Sequence, residues 1–567
     1  MLIKQYLDQL EQTYEVIAII DLDPWFDVPV YQKNIWLEKK VNEAYRSEYS
    51  NNERIVFTLS QGDIYDSETA PAGLLITNLF KQLNKVDISN FFVILLTNDS
   101  QHIPAAVKWT QDNISKDPVS ITCVCYADKI TSKKLAPKMA GSLDYNSTVP
   151  IKIGLDQLDQ REKYLLTQSK TFCMYPWIHL HAYPTGQAYP CCHAEMQHPV
   201  GNCKEKTIKE IWNDTPLRGV RHKMLSEQPV DACIRCYEQE DAGFFSGRQS
   251  ANKHHGHHIN LVKNTQEDGT AYDFRMIYWD IRFSNLCNLR CRSCGHIFSS
   301  QWYNDQVELA GPEWGKRNQV LNYAGKNKTD MWEQLVEHID YVEQIYFAGG
   351  EPLMMEEHYN ILDELERRDR FDVRLIYNTN FTHVKLKERT VFDYWKRFKS
   401  VSVGASLDAM GPRAEYIRKG TDWNQVERNR HQMMEICPRV DFYISPTLSI
   451  MNACHLPNFH RAWTDAGLIK AQDLNVNILQ DPAYYRIDVA NASYKDQVRE
   501  QFERHLEWLR PQDPLKRATV GFESAIKFMD ATDNSHLLPK FWSRTQELDS
   551  LRRENIFDAL PELRVLK

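Results

Sequence analysis

Three cysteines within eight positions constrain this chain more than any other feature of its sequence. The segment CNLRCRSCG places Cys287, Cys291 and Cys294 directly after the strand-like run MIYWDIRFSNL. This spacing allows one short loop to hold a metal cluster, with each thiolate at a different corner. A structural zinc site needs four closed ligands, whereas a four-iron, four-sulfur cluster held by three cysteines keeps one iron open. The loop therefore predicts a cluster with one open iron, and a zinc loop or reduced surface thiols are the alternatives.

Composition limits the class of protein. The chain has 567 residues and a net charge of −8, enough length for two to four domains and no general basic character. Nucleic acid is therefore not an expected partner. The first residues carry no signal-peptide pattern and no long apolar run predicts a membrane span. Thirteen cysteines in such a chain favour reduced thiols and metal ligation, and hence a cytoplasmic protein.

Residues 1–155 predict an N-terminal α/β domain. Strand-like runs alternate with helical segments, which indicates a small, mostly parallel sheet. The runs are EVIAIIDLD, RIVFTLSQGD, FFVILLTND and VSITCVCYAD. Aspartates at their ends either line a metal- or nucleotide-binding crevice or, as we prefer, cap the following helices; they are Asp21, Asp23, Asp63, Asp99 and Asp128. We expect this domain to recognise a partner or substrate.

Regular periodicity returns over residues 272–490. Six strand-like runs with helical patterns between them predict an α/β fold, a partial (β/α)6 barrel that stays open for want of eight strands. The runs are MIYWDIRFS, QIYFAGG, VRLIYNTN, SVSVGASLD, DFYISPTLS and DLNVNILQ. Residues 491–567 predict a charged helical extension on the outside of the barrel. The segment KHHGHHIN, which precedes the barrel, is interpreted as an exposed hinge, with metal ligation as the alternative.

The triple-cysteine loop resembles the CxxxCxxC signature of the radical S-adenosylmethionine superfamily. YFAGGEP at the end of the second predicted strand is similar to that family's GGEP segment. The resemblance implies an enzyme whose catalytic cluster binds the amino and carboxylate groups of S-adenosylmethionine at the open iron. One electron from the cluster then yields a 5′-deoxyadenosyl radical. Ser293 stands where the family usually has an aromatic residue that covers the adenine, and Phe298 or Tyr346 could replace it.

The resemblance also implies a set of cofactor-binding residues. The GGEP segment would meet the methionine amino group, and Arg418 would pair with the carboxylate. Short polar side chains after the third and fourth strands would bond the ribose hydroxyls. For each side chain the alternative is a helix cap or a surface ion pair. The residues are Gly349, Gly350, Glu351, Pro352, Asn378, Asn380, Ser406, Asp408 and Arg418.

Residues 166–250 carry a second cysteine set. Twelve residues separate Cys173 from Gly186 and four separate Gly186 from Cys191, and a CxxC pair, Cys233 and Cys236, follows. This pattern resembles a SPASM or twitch domain and implies one auxiliary four-iron, four-sulfur cluster, here placed before the barrel. Cys192 could replace Cys191 as a ligand. A zinc ribbon on the same four cysteines is the alternative.

Three functions follow. The first is a radical S-adenosylmethionine enzyme that abstracts hydrogen from a peptide or protein, with an electron donor such as flavodoxin or ferredoxin. The second keeps the barrel but takes a small metabolite, nucleotide or sugar. The third is a non-catalytic iron–sulfur or zinc protein that binds partners. The substrate is not fixed by these motifs, because the cofactor carries the difficult chemistry.

Overall fold

The computed structural model describes residues 158–567, except 242–244 and 515, and four strands nearer the N-terminus. These strands are β1 (Glu15–Asp21), β2 (Glu53–Leu59), β3 (Phe91–Thr97) and β4 (Ser120–Cys125). They pair in parallel in the order β1-β2-β3-β4, as the alternating apolar runs predict. Asp21 ends β1. The other four predicted aspartates and the helices expected between these strands lie outside the described residues.

An eight-stranded sheet organises residues 160–567. Its order is β14-β13-β10-β9-β8-β5-β6-β7. The strands of this part of the chain are β5 (His179–Ala182), β6 (Gln187–Tyr189), β7 (Gly201–Asn202), β8 (Tyr278–Ile281), β9 (Gln344–Phe347), β10 (Arg374–Thr379), β11 (Lys385–Leu386), β12 (Arg389–Thr390), β13 (Val401–Ala405), β14 (Asp441–Ile444), β15 (Thr447–Leu448) and β16 (Asn477–Ile478). The strands from β8 to β14 in the sheet are all parallel, and β11–β12 and β15–β16 form two further pairs.

The sheet extends beyond the predicted six-stranded barrel at one edge and is irregular at the other. Five of the predicted runs form β8, β9, β10, β13 and β14. The sixth, DLNVNILQ, follows β14: Leu474 bridges Ile444 in parallel, and Asn477–Ile478 form β16, which pairs with β15. At the other edge, β5 from the cysteine-rich region pairs in parallel with β8. The hairpin of β5 and β6 then extends the sheet. The cysteine-rich region and the barrel strands therefore share one sheet.

Helices cover the strands and form the end of the chain. Their bounds are α1 (Gln160–Thr167), α2 (Ile208–Trp212), α3 (Thr215–Leu225), α4 (Ile234–Asp241), α5 (Gly247–His255), α6 (Asn260–Lys263), α7 (Trp302–Ala310), α8 (Pro312–Arg317), α9 (Asp330–Leu335), α10 (Glu356–Arg367), α11 (Val391–Trp395), α12 (Pro412–Ile417), α13 (Trp423–Ile436), α14 (Leu456–Asp465), α15 (Ala492–Leu509), α16 (Arg517–Ala531), α17 (Leu538–Arg552) and α18 (Ile556–Ala559). The predicted helical extension corresponds to α15–α18. The predicted exposed hinge at KHHGHHIN is wrong: it comprises the end of α5, a 3-10 turn at Gly256–His258 and the start of α6, and His255 is buried.

Capping and burial explain these helices locally. Asn491 accepts a hydrogen bond from the amide of Tyr494 and so caps α15. The buried face of α15 carries Phe502, Leu506 and Leu509, spaced as an amphipathic helix requires. Within the described part of the chain, no helix has the length and apolar character that crossing a membrane requires.

Two buried histidines join α14 and α15. Nδ1 of His460 lies 2.9 Å from Nε2 of His505. Burial lowers the pKa of His460 to about 4 and that of His505 to about 3. An unfolded histidine has a pKa of about 6.5. The unfolded chain therefore binds more protons than the folded chain below that pH.

We expect stability to be full above about pH 6.5 and to fall as the pH drops toward about 4, with a loss on the order of 3 kcal/mol per buried histidine. Urea unfolding at about pH 7.5 and about pH 5 measures about 2 kcal/mol of this loss per histidine, because pH 5 lies about 1.5 units below the unfolded pKa. A His460→Gln, His505→Gln double variant should show a shallower pH dependence, whereas the exposed His431→Gln control should not. An equal pH dependence in both variants would contradict the assignment.

Candidate cluster and cofactor site

The triple-cysteine loop lies directly after β8, where its backbone is fixed by a distant segment. The amide of Arg290 donates to the carbonyl of Lys419 and the amide of Arg292 to the carbonyl of Ile417, both at 2.9 Å. Burial raises the pKa of all three thiols, that of Cys294 to about 12. Buried thiolates are costly unless a cation compensates them, so the donor set fits a bound metal cluster. The structure brings the three predicted ligands together at the carboxyl end of the sheet.

The GGEP turn after β9 rests directly on this loop. A Cβ atom on Gly350 would lie 2.2 Å from the carbonyl oxygen of Leu286, and Gly349 has a φ of +125°. Both positions therefore need glycine. The amide of Glu351 donates to the same Leu286 oxygen at 2.7 Å. The two glycines thus allow direct backbone contact between the second strand's turn and the residue before Cys287.

Glu351 is fully buried, and both of its carboxylate oxygens accept hydrogen bonds from the protein. The donors are the Thr379 hydroxyl at 2.7 Å, the Asn380 amide at 2.7 Å and the Leu353 amide at 3.1 Å. Burial raises the pKa of Glu351 to about 7, although these hydrogen bonds act to lower it. Glu351 therefore ties the end of β9 to the end of β10. Direct contact of its carboxylate with a cofactor stays a prediction.

Arg418 and Asp408 form a buried ion pair beside the cysteine loop. Nε and Nη2 of Arg418 lie 2.8 and 2.9 Å from the two Asp408 oxygens, and Nη1 lies 3.8 Å from Sγ of Cys291. Burial alone would lower the pKa of Arg418, but Asp408 and the thiols raise it above its ordinary value. Asp408 also accepts a hydrogen bond from the Thr447 amide at 2.8 Å. A permanent positive charge is thus held next to Cys291.

The remaining predicted cofactor residues occupy the carboxyl ends of β10 and β13. Nδ2 of Asn380 lies 4.0 Å from Sγ of Cys287 and donates to Oδ1 of Asn288 at 2.8 Å. Asn378, on β10, donates to the hydroxyl of Tyr346, on β9, at 2.5 Å. The amide of Ser406 donates to the Thr379 carbonyl at 2.7 Å. Asn380 is therefore nearer to the thiols than Asn378, and the ribose contacts remain predictions.

The second cysteine set also assembles. Burial and the neighbouring thiols, including Cys173, Cys233 and Cys236, raise the pKa of Cys191 well above its ordinary value. Cys192 is different: after burial, its main electrostatic neighbours are Asp280 and Arg282. Cys191 therefore faces the other three cysteines and Cys192 faces the barrel.

The sequence prediction missed a row of polar side chains inside the sheet. Nδ1 of His181 lies 2.8 Å from the Asp280 carbonyl and 3.3 Å from its carboxylate, and both residues are fully buried. Nη2 of Arg282 lies 3.1 Å from Asp280, and its guanidinium lies 4.9 Å from the centre of the Tyr346 ring. The signal was present in YWDIRF, where two charged residues alternate with apolar ones on a strand. Asn378 on β10 is the last member of this row. The others are His181 on β5, Asp280 on β8, Arg282 just after β8 and Tyr346 on β9.

One compact group of potential metal ligands lies outside both cysteine sets. Among the described residues, the only group of three or more potential ligands within 4.8 Å of one another is His257, His258 and Glu343. In neither cysteine set do three thiol sulfurs all lie within that distance of one another.

Comparison with known proteins identifies the cysteine-rich region. Residues 173–237 match SPASM, an iron–sulfur cluster-binding domain, within the predicted range 166–250. No curated protein matches the chain. Solved structures that share part of the fold include native anSMEcpe with bound AdoMet, at 18% identity and a TM-score of 0.30 over 41% of this chain and 61% of that one. Another is TYW1 with a lysine-pyruvate adduct bound, at 12% identity and a TM-score of 0.23 over 42% of this chain and 71% of that one.

The chain thus spans about three fifths of the first of these structures. Two features of the chain itself are more specific: the SPASM match at 173–237, and the CxxxCxxC loop in backbone contact with the GGEP turn. Together they make the chain similar to SPASM iron–sulfur proteins over residues 173–237, with a triple-cysteine loop that resembles the radical S-adenosylmethionine signature.

Proposed function

We propose that this protein is a radical S-adenosylmethionine enzyme that removes a hydrogen atom from a peptide or protein substrate. The observation that carries the proposal is the assembly at the carboxyl end of β8. There the GGEP backbone meets the residue before Cys287, and the Arg418 guanidinium lies 3.8 Å from Cys291. In barrels of parallel strands this end of the sheet is where active sites lie.

Each residue of the assembly has a distinct role in this proposal. Cys287, Cys291 and Cys294 would hold a four-iron, four-sulfur cluster with one open iron. When bound, this cluster and S-adenosylmethionine supply a 5′-deoxyadenosyl radical after one-electron reduction. Arg418 places positive charge beside the thiolates. Glu351 fixes the ends of β9 and β10 in relation to the loop.

Several side chains of the polar row would bind the substrate. Arg282, Asp280, Tyr346 and Asn378 offer a positive charge, a negative charge and neutral hydrogen-bonding groups within one buried region. Buried polar groups need hydrogen-bonding partners, so this row favours a substrate with many such groups, as a peptide backbone has. Cys192 connects the row to the SPASM domain, which would hold an auxiliary cluster near the substrate on Cys173, Cys191, Cys233 and Cys236.

The remaining partners complete the proposal. Reduction of the cluster would require a small electron carrier such as flavodoxin or ferredoxin. The N-terminal sheet would recognise the substrate or a partner. A reduced cytoplasmic environment suits both cysteine sets.

Anaerobic reconstitution followed by reduction with dithionite tests the proposal. Given S-adenosylmethionine, the protein should form 5′-deoxyadenosine, and it should contain about eight irons in two four-iron clusters. A Cys287→Ala, Cys291→Ala, Cys294→Ala variant should form none and keep about four irons. Cys191→Ala should reduce the auxiliary iron, whereas the adjacent control Cys192→Ala should retain about eight irons.

Two outcomes would contradict the proposal. Full iron content without 5′-deoxyadenosine would indicate a non-catalytic binding protein. Zinc instead of iron in the triple variant would indicate that the SPASM cysteines form a zinc ribbon.

A further inference from the structure

Two adjacent histidines and a glutamate converge at the amino end of β9. Nε2 of His257 lies 2.8 Å from Oε2 of Glu343, and Nε2 of His258 lies 3.2 Å from Oε1. One ligand atom from each of the three residues lies within 4.8 Å of the other two. The histidines belong to the turn Gly256–His258, and Glu343 directly precedes β9. The chain thus brings together, from positions more than eighty residues apart, two imidazoles and one carboxylate.

Glu343 has little freedom to move away. Its amide donates to the carbonyl of Ile277, and its carbonyl accepts from the amide of Arg374, both at 2.9 Å. Its backbone is therefore bonded on both sides, to the residues that begin β8 and β10. The three side chains are also poorly hydrated, with exposed fractions of 8% for His257, 20% for His258 and 30% for Glu343. A preformed, partly desolvated donor set is what a metal site requires.

The charges in this group are hard to satisfy with protons alone. The His257 and His258 rings lie 4.0 Å apart, so two protonated imidazoles would repel each other strongly. The carboxylate can neutralise only one of them. With both imidazoles neutral, Nε2 of His257 bonds the carboxylate, but the buried Nε2 of His258 makes no hydrogen bond within the described part of the chain. One divalent cation, bound by both Nε2 atoms and the carboxylate, would remove the repulsion between protonated rings and give the His258 nitrogen a partner.

We propose that His257, His258 and Glu343 bind a divalent transition-metal ion, such as Zn²⁺. Imidazole nitrogen and carboxylate oxygen are suitable donors for such ions, and three protein ligands leave a further position for water. The ion would fasten the segment after the SPASM domain to the base of the barrel strands. The site is separate from the cluster site, because β9 runs between them: Glu343 precedes the strand and the GGEP turn follows it.

Zinc binding by the protein with both iron–sulfur clusters reconstituted tests the proposal. With both cysteine sets occupied by iron–sulfur clusters and loose metal removed by gel filtration, calorimetric titration with Zn²⁺ should reveal about one further site. Glu343→Gln preserves the size of the side chain but removes its charge, and His257→Ala, His258→Ala removes both imidazoles. Each variant should bind Zn²⁺ at least roughly 100-fold more weakly. Loss of a residue that only supports a metal ligand already weakens metal binding by up to about that factor, and loss of the ligand itself costs no less.

The neighbouring His254→Ala substitution is the matched control, since His254 lies outside the group of three. It should retain the site. Zn²⁺ should also raise the thermal unfolding midpoint of the unaltered protein and of the control, but not that of the two site variants. Absence of the additional zinc site in the unaltered protein, or equal binding by the control and the site variants, would overturn the proposal. The result is independent of 5′-deoxyadenosine formation, so failure of this proposal and failure of the proposed enzymatic function are distinguishable.

Discussion

Alanine at position 350 should lower the rate of S-adenosylmethionine cleavage by about 100-fold, the effect of a misplacement of about 1 Å near a reacting centre. The added Cβ would lie 2.2 Å from the Leu286 oxygen, 2.8 Å from the Leu286 carbonyl carbon and 2.9 Å from that of Asn285. All three are backbone atoms, so no side chain can rotate away. Relief requires separation of the GGEP turn from the residues that lead into Cys287, which also strains the hydrogen bond from the Glu351 amide to Leu286.

Gly295→Ala is the matched control for this substitution. Gly295 follows Cys294 directly, and a Cβ there would meet no atom within 4 Å. We expect this variant to keep its iron content and its rate of 5′-deoxyadenosine formation. Measurements on Gly350→Ala and Gly295→Ala under identical anaerobic conditions separate a steric effect from a general sensitivity of the loop. Unaltered cleavage by Gly350→Ala would show that the turn and the loop are not in the observed contact.

Arg292→Met should destabilise the fold by about 3 kcal/mol, the cost of removing one partner from a buried ion cluster. The Arg292 side chain is fully buried within the cysteine loop. Its Nη2 lies 2.5 Å from Asp549 and 2.8 Å from Glu554, and its guanidinium lies 3.8 Å from the centre of the Tyr416 ring. Methionine preserves much of the length and apolar volume but removes the buried positive charge, so that Lys419 is left as the cationic partner of Glu554 and Asp549 keeps only neutral donors. Urea unfolding of the variant measures the loss.

Two comparisons make this prediction specific. Arg367→Met removes an arginine that is 65% exposed and pairs with Glu364, so it should cost about 1 kcal/mol or less. Adding Asp549→Asn to Arg292→Met removes the carboxylate that is left without a cation and should recover part of the loss. Similar costs for Arg292→Met and Arg367→Met would mean that the buried ion cluster does not anchor the loop.

The candidate ligands of the cluster site could be proposed from the sequence because they depend on local spacing. CxxxCxxC and GGEP each occupy one loop after one strand, so their residue types indicate the chemistry without knowledge of the fold. The SPASM cysteines were proposed in the same way. Cys191 and Cys192 could not be separated by sequence, because the neighbours of each thiol depend on the fold: Cys191 lies near the other three cysteines and Cys192 near Asp280 and Arg282.

Contacts between distant segments could not be predicted. The ion pairs of Arg292 with Asp549 and Glu554 span more than 250 positions, and no local sequence pattern predicts them. The helical extension was therefore predicted, but not its attachment to the cysteine loop. Similarly, DLNVNILQ has the composition of a strand, yet pairing partners decide how much of such a run becomes a strand; here Leu474 bridges Ile444, and only Asn477–Ile478 form a two-residue strand.

The pairing of β5 with β8 has a mechanical consequence. Backbone hydrogen bonds join the two strands and their flanks, from Ile277 and Tyr278 to Ile178 and from Arg282 to Ala182. Hinge bending between the SPASM lobe and the barrel would have to break this ladder. The pairing therefore holds the two cysteine sets at one fixed separation, and any bound groups they hold would keep that separation.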